Sequence, residues 1–201
     1  MDTIITVSEE LRKSFYESGF NFLSSVPQRR IQEMTLAMAQ KGHSGKMTDY
    51  AELGAGHRTT YGHFLSKGKW DHMAVEAVQR RNSFQPILTV AKSAKQPVYL
   101  SIDDTVVAKK KASKHAVRPT EGVGWHYSHL EGKQVYGFQM HAAIVSTGSH
   151  ALCYSLQRCC PEHGSKVDVT LNAIDALPET EHPVYVLMDS WYTNASQRNA
   201  I

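Results

Sequence analysis

The segment VYLSIDDTVVAKKK, which begins at Val98, places Asp103 and Asp104 side by side within an apolar strand pattern. Leu100, Ile102 and Asp104 recur at every second position, which is the period of a half-buried β-strand, while Asp103 falls on the opposite face. Two neighbouring carboxylates repel each other and are costly to desolvate. A fold built on this strand therefore needs something at its acidic end that offsets this cost.

The composition is that of a soluble globular protein. The 201 residues are 41% hydrophobic and 20% charged, and a chain of this length can bury a sizeable core. No apolar run approaches the roughly 20 residues that span a bilayer, and no basic segment precedes an apolar one at the N-terminus. Three cysteines, two of them adjacent, make no disulfide framework. We therefore expect a cytoplasmic protein without a membrane partner.

The front half of the chain, residues 1–97, has the apolar spacing of helices and carries 13 Lys and Arg against 9 Asp and Glu. Within it, MTDYAELGAGHRTTYGHFLSKGKWD predicts two short helices across a glycine-bearing turn, the second from about His57 to Ser66. This is the outline of a helix-turn-helix, whose second helix can reach phosphates and base edges. A solvated helical hairpin without this role is the alternative. The candidate DNA-binding residues of this region are Arg58, Tyr61, His63, Lys67 and Lys69.

The back half, residues 98–201, changes to the period of strands. The segments VYLSIDDTVV, KQVYGFQMHAAIVST and HALCYSLQ predict three successive strands, and a helix follows with Ser165 as its candidate cap. The apolar segment VYVLMDSWYT predicts a returning, parallel strand that ends at Asp189. The predicted fold class is α/β (α+β overall), with a helical N-terminal DNA-binding region in residues 1–97 and a mixed sheet in residues 98–201.

Asp104 on the first strand and Asp189 at the end of the last one are the candidate metal ligands and catalytic residues. If the intervening helix is a right-handed crossover, the two strands are neighbours and the two carboxylates face each other. Hard oxygen ligands suit Mg²⁺ or Mn²⁺, and carboxylates that hold two such ions form the phosphoryl-transfer site of nucleases and polymerases. The alternatives are that Asp189 only caps the next turn and that Asp103 is a plain surface residue.

Three segments in this order, IDDT, GWHYSHLEGKQVYGFQMHAAIV and VYVLMDSWYTNAS, resemble bacterial insertion-sequence transposases with a DDE, ribonuclease-H-like catalytic domain. The resemblance covers about residues 98–196, and more loosely the helical region from about residue 28. It implies a metal-dependent nuclease and strand transferase that acts on the DNA ends of its element. It also implies that Asp104, directly before a threonine, is the first metal aspartate and that Asp189 is the second.

The loop after the first strand is rich in basic residues and lies beside the proposed metal site. Phosphate contacts from such side chains add affinity and salt dependence without sequence choice. A solvated loop without a DNA contact is the alternative for any one of them. Trp125 is expected to pack beside the site rather than to stack on bases. The candidate DNA-binding residues of the loop are Lys109, Lys110, Lys111, Lys114 and Arg118.

The resembling family has a third carboxylate, a glutamate on a helix well beyond the second aspartate, whereas this chain ends at Ile201. We therefore expect a truncated, catalytically incomplete transposase with an incomplete ribonuclease-H-like sheet, and whether it is an enzyme stays open. The alternatives are a DNA-binding module that competes with or represses the full-length enzyme, and a decayed reading frame. A homo-oligomer or a complementing C-terminal chain are the partners expected besides DNA.

Overall fold

The computed structural model of the chain describes residues 9–41, 47–53, 56–113, 115, 122–159 and 164–189. The chain divides into two compact units, residues 1–78 and residues 79–201. In these described ranges, no helix combines the length and the apolar character that crossing a membrane requires.

The first unit is helical, as its apolar spacing predicts. The second short helix, expected from about His57 to Ser66, is confirmed and begins after His57 as its N-cap. It ends where the backbone N–H of Gly68 donates to the carbonyl of Phe64 at 2.9 Å. The elements are α1 (Glu9–Phe15), a π-helical segment (Tyr16–Phe20), α2 (Ser25–Lys41), α3 (Met47–Leu53), α4 (Arg58–Lys67) and the beginning of α5 (His72–Ala94).

A buried carboxylate joins α2 to α4. Glu33 is 4% exposed and accepts hydrogen bonds from Arg30 Nη1 at 2.6 Å and from the Tyr61 hydroxyl at 3.1 Å. Tyr61 is fully buried and packs with Met34 and Phe64 in the core of the unit. Because a buried charge is tolerated only when it is paired and hydrogen-bonded, these contacts fix the two helices against each other.

The second unit contains a five-stranded mixed sheet. Strand β3 lies between β1 on one side and both β2 and β4 on the other, and it is antiparallel to all three. Strand β5 pairs with β1 in parallel. The predicted α/β fold class with a mixed sheet is thus confirmed. The elements are β1 (Val98–Ala108), β2 (Gly124–Ser128), β3 (Lys133–Thr147), β4 (His150–Arg158), α6 (Lys166–Asp175) and β5 (Val184–Met188).

Strand β2 is absent from the sequence prediction, which gave three strands before the helix instead of four. Its five residues, GWHYS, are too short to show a clear period, but they alternate exposed Trp125 and Tyr127 with less exposed neighbours. The segment that follows contains Gly132 at φ +62°, a conformation that glycine adopts at little cost. A short aromatic run before a glycine turn was the available signal for a hairpin.

One face of the sheet carries the hydrophobic core of the second unit. Leu100 and Ile102 of β1 and Val145 of β3 pack against Phe84 and Ile87 of α5. Full burial of side chains of this size stabilises the folded state by about 1.5–3 kcal/mol each. The alternation predicted for the first strand is therefore confirmed, and its apolar face is the one that the helices cover.

Helix α5 runs through Pro86 without interruption, although proline usually kinks or ends a helix at such a position. Its second half packs on the sheet through Phe84, Ile87 and Ala91. For this reason the compact unit that contains the sheet begins at residue 79, whereas the sequence put the boundary after residue 97. The assignment of the two regions to DNA binding and catalysis stays a prediction.

Candidate active site

Asp104 and Asp189 lie near each other along two adjacent parallel strands. The register pairs Ile102 of β1 with Met188 of β5. Asp189 is the residue directly after that last pair, and Asp104 comes two residues after Ile102. The two aspartates predicted from the sequence therefore come within two positions of the same point of the sheet, at the C-terminal end of β5.

The carboxylate of Asp104 contacts a lysine and an amide. Its Oδ2 accepts a hydrogen bond from Gln139 Nε2 at 2.7 Å and forms an ion pair with Lys166 Nζ at 2.8 Å. The side chains of Asp104 and Lys166 are only 16% and 20% exposed. A charge-assisted hydrogen bond in such a partly desolvated place is stronger than one on the open surface. The ammonium group of Lys166 thus offsets part of the cost of placing the carboxylates of Asp103 and Asp104 side by side.

Lys166 reaches Asp104 because it is the first residue of α6. Ser165 caps this helix: its hydroxyl accepts from the backbone N–H of Asp168, and its own N–H donates to the Asp168 carboxylate. The Ser165 hydroxyl, which donates to Asp168 Oδ2 at 2.8 Å, and the Ser165 backbone N–H, which donates to the same oxygen at 2.7 Å, hold the pKa of Asp168 below its usual value. The capping box therefore fixes where α6 begins, and with it the base of the Lys166 side chain.

His141 of β3 is the register partner of Asp104 and is fully buried. Its Nε2 lies 3.0 Å from the hydroxyl of Thr170, which itself donates to the carbonyl of Lys166 at 2.9 Å. Because the Thr170 hydroxyl donates its proton to the Lys166 carbonyl, it can only accept from His141. Nε2 of His141 is therefore the donor and carries the imidazole proton. Burial is the main cause that lowers the pKa of His141, against the opposing charges of Asp104 and Asp103. The imidazole is therefore neutral near pH 7.

Asp103 lies on the opposite face of β1 and is exposed. Its Oδ1 accepts the backbone N–H of Asp104 at 2.8 Å. Along β5, Val186 and Met188 pack on the core, so regular alternation would give Asp189 the face of Asp103. Asp189 is exposed and follows the last paired residue, so the pleat of the sheet does not fix its direction.

The donor set suits a hard divalent cation, because carboxylate oxygens are what Mg²⁺ and Mn²⁺ prefer. In the part of the chain that the structure describes, no three or more His, Cys, Asp or Glu side chains are grouped closely enough to hold a metal. A cation bound through Oδ2 of Asp104 would compete with Lys166 Nζ for that oxygen. The chemistry of the residues therefore fits a metal, and the ion pair with Lys166 would oppose its binding.

The basic residues of the loop follow the end of β1. The backbone N–H of Lys109 donates to the carbonyl of Tyr136 at 2.8 Å, which extends the pairing of β1 with β3 by one residue. Lys110 and Lys111 come next and are exposed. Lys114 and Arg118 lie outside the described residues. Trp125, expected to pack, is 58% exposed.

In α4 the structure corrects one of the candidate DNA contacts. Tyr61 is fully buried with its hydroxyl on Glu33, so it belongs to the core and does not face solvent. Its aromatic ring lies on the side of α4 that packs against α2. The sequence did not indicate this, because the neighbours of Tyr61 in the sequence are mostly polar. The candidates that remain exposed on or after this helix are Arg58, His63, Lys67 and Lys69.

Comparison with known proteins identifies one family. A family model described as DDE superfamily endonuclease matches residues 21–201. The match begins after the π-helical segment and includes residues 21–78 of the helical unit as well as the whole unit that contains the sheet. No curated protein and no solved structure gives a significant match to the chain.

Proposed function

The chain belongs to the DDE superfamily endonucleases, and from this premise we propose that it is a transposase that cleaves and transfers DNA strands with the help of Mg²⁺ or Mn²⁺. The observation that carries the proposal is the position of Asp104 and Asp189 within two residues of the last pair between parallel strands β1 and β5. Family membership supports a nuclease of this class, and the two neighbouring carboxylates support a divalent cation as its cofactor.

We assign Asp104 and Asp189 as the metal ligands. A divalent ion held by these carboxylates would supply Lewis-acid stabilisation of the phosphodiester and would activate the attacking water or hydroxyl. Gln139 orients the Asp104 carboxylate by donating to Oδ2 at 2.7 Å. Lys166, which pairs with the same oxygen, is a cation at the N-terminus of α6 that can contact a phosphate group.

Two sets of basic residues are proposed to bind the DNA ends of the element. Phosphate contacts of this kind position the duplex and carry no sequence information themselves. The two sets belong to different compact units, so the residues of one set can be substituted while those of the other stay unchanged. They are Arg58, His63, Lys67 and Lys69 in the helical unit, and Lys109, Lys110, Lys111, Lys114 and Arg118 after β1.

Nicking of supercoiled plasmid by the purified chain in Mg²⁺, Mn²⁺ or EDTA tests the proposal. We expect nicking that requires the metal and is lost in Asp104→Asn and in Asp189→Asn. Asp175→Asn, which changes an exposed carboxylate at the end of α6, is the matched control and should leave nicking unchanged. Binding of Mn²⁺, followed by electron paramagnetic resonance, shows whether each variant has lost metal binding or has lost only the nicking activity.

Three outcomes separate the assignments. Loss of nicking and of Mn²⁺ binding in both variants supports the proposed site. If Asp103→Asn abolishes nicking while Asp104→Asn does not, the metal lies on the other face of β1 and the assignment of Asp104 is wrong. Metal-independent DNA binding without nicking in any condition would leave a DNA-binding protein that competes with an active transposase.

A further inference from the structure

We propose that the exposed face of the sheet around β2 binds an unpaired DNA strand, with base stacking on Trp125 and Tyr127 and phosphate contacts from cations that surround them. This inference rests on the proposed action on DNA and names how one part of that DNA is held. We call this surface the aromatic–cation face. Its residues are Trp125, Tyr127, Phe138, Lys109, Lys111 and Arg158.

The register puts these side chains on one side of the sheet. Trp125 pairs with Tyr136 across the β2–β3 ladder, and Phe138 follows Tyr136 at the next position on the same face. Val107 pairs with Phe138, and Arg158 pairs with Met140, so both neighbouring strands present the same face there. The helices α5 and α6 cover the other face, where the core lies.

The rings of β2 are more open to solvent than packing groups of this size usually are. Trp125 is 58% exposed and Tyr127 is 50% exposed, and they point to the same face two residues apart, about 7 Å along the strand. The Trp125 ring meets the edge of Tyr136 at 64°, with 5.4 Å between centroids. This contact fixes the ring while leaving much of its surface exposed, as a stacking platform for bases requires.

Three cations lie over or beside the rings. Lys111 Nζ is 5.8 Å from the centroid of Trp125, and Lys109 Nζ is 5.6 Å from that of Phe138. The guanidinium of Arg158 is 5.7 Å from the Phe138 centroid. The combination of fixed positive charge with exposed rings is the one by which proteins bind single strands, since phosphates meet the cations while bases meet the rings.

Arg158 is positioned more firmly than a surface arginine. Gly122 lies against its guanidinium, so closely that a Cβ at this residue would be 2.8 Å from the guanidinium carbon. The φ of +71° at Gly122 is a further reason for glycine at this position. The guanidinium therefore sits between the backbone at Gly122 and the ring of Phe138, with less rotamer freedom to lose when it contacts a phosphate.

The aromatic–cation face continues along β1 toward Asp103. Asp103 lies on this face of β1, six residues before Lys109, which is about 20 Å along an extended strand. A bound strand that crosses β2 and β3 can thus run along the sheet toward Asp103, whereas Asp104 lies on the opposite face of β1. The three cations favour a DNA strand over a second copy of the chain, because a second copy would have to place its own surface against them.

Fluorescence anisotropy with a labelled oligothymidine of about 15 nucleotides, beside a duplex of the same length, tests this inference. We expect Trp125→Ala to weaken binding of the single strand by about 5- to 100-fold and to leave duplex binding nearly unchanged. Trp125→Phe should retain most of the affinity. Tyr185→Ala is the matched control, because Tyr185 is 55% exposed on the same sheet and its ring stacks on Tyr99.

Single-strand binding that is unchanged in Trp125→Ala, or reduced as much in Tyr185→Ala, would overturn the inference. A concentration-dependent dimer that Trp125→Ala dissociates would also overturn it, since the face would then bind a second copy. Circular dichroism shows that each variant is folded. Because the readout is binding without metal, loss of nicking in Asp104→Asn and loss of single-strand affinity in Trp125→Ala are independent results, and either proposal can fail alone.

Discussion

Lys166 Nζ lies 2.8 Å from Oδ2 of Asp104, the same oxygen that accepts a hydrogen bond from Gln139. The first residue of α6 therefore neutralises the carboxylate that we assign to the metal. A metal cation near Lys166 Nζ is repelled by it, so we expect the ion pair with Lys166 to weaken the binding of Mg²⁺ or Mn²⁺ at Asp104. The lysine therefore lowers the affinity of this site for a divalent cation.

Removal of the lysine charge should therefore raise the affinity of the site for metal. We expect Lys166→Met to bind Mn²⁺ several-fold more tightly than the parent chain in a titration followed by electron paramagnetic resonance. The same variant should nick DNA less well if the displaced lysine contacts a phosphate. Lys92→Met, which changes an exposed lysine of α5, is the control and should alter neither quantity.

A weaker affinity for Mn²⁺ in Lys166→Met would contradict this competition and would show that the lysine orients Asp104 for the metal. The variant should also lose some stability, because Asp104 stays partly buried without its main partner. Since both side chains retain some solvent exposure, we expect a loss below the roughly 3–5 kcal/mol of a fully buried pair. Thermal unfolding without metal measures this loss.

The sequence predicted the strands whose side chains alternate between core and surface, since burial on one face imposes that period. It identified β1, β3, β4 and β5, the parallel pairing of β1 with β5, and the cap at Ser165. It could not reveal that Lys166 meets Asp104, because the two residues are 62 positions apart and only the fold brings them together. Nothing in a linear pattern distinguishes this lysine from those that face solvent.

The errors in the interpretation of the sequence have physical causes as well. Tyr61 has polar neighbours on both sides, and its burial depends on Glu33, 28 residues earlier in the chain. Strand β2 is too short to show a period, so its exposed rings became visible only in the register with β3.

Tyr61 makes the stability of the helical unit sensitive to alkaline pH. Burial first, and the charge of Glu33 second, raise the pKa of its hydroxyl above the ordinary value of 10.0. The neutral hydroxyl is favoured in the folded state, so this stabilisation is complete below about pH 10 and is lost as pH rises through the raised pKa. We expect the urea midpoint of the parent chain to fall over that range.

Tyr61→Phe should reduce this alkaline loss, and Tyr16→Phe, which changes an exposed tyrosine, should not. Near pH 7 the first variant should lose about 1–3 kcal/mol, because Glu33 loses a hydrogen bond while it stays buried beside Arg30. Equal alkaline slopes in the two variants would show that Tyr61 is not the group responsible.

The two faces of the sheet should respond differently to loss of a leucine side chain. Leu100 is fully buried in the core, whereas Leu156 of β4 is 61% exposed. We expect Leu100→Ala to lower the free energy of unfolding by about 2–5 kcal/mol, and Leu156→Ala to change it by less than about 0.5 kcal/mol. An equally large effect of Leu156→Ala in urea denaturation would show that this face is covered in solution.

Helix α4 should contribute to DNA affinity through phosphate contacts rather than through Tyr61. Each lost contact lowers the slope of log K against log salt by about 0.9 for duplex DNA. We therefore expect Arg58→Gln and Lys67→Gln each to reduce the slope by about one and to weaken binding to different duplex sequences equally. Lys13→Gln in α1, whose lysine pairs with Glu17 at 3.8 Å on the surface, is the control. Slopes that stay at the parent value in the first two variants would assign duplex binding to the basic loop after β1, where Lys110→Gln can be measured in the same way.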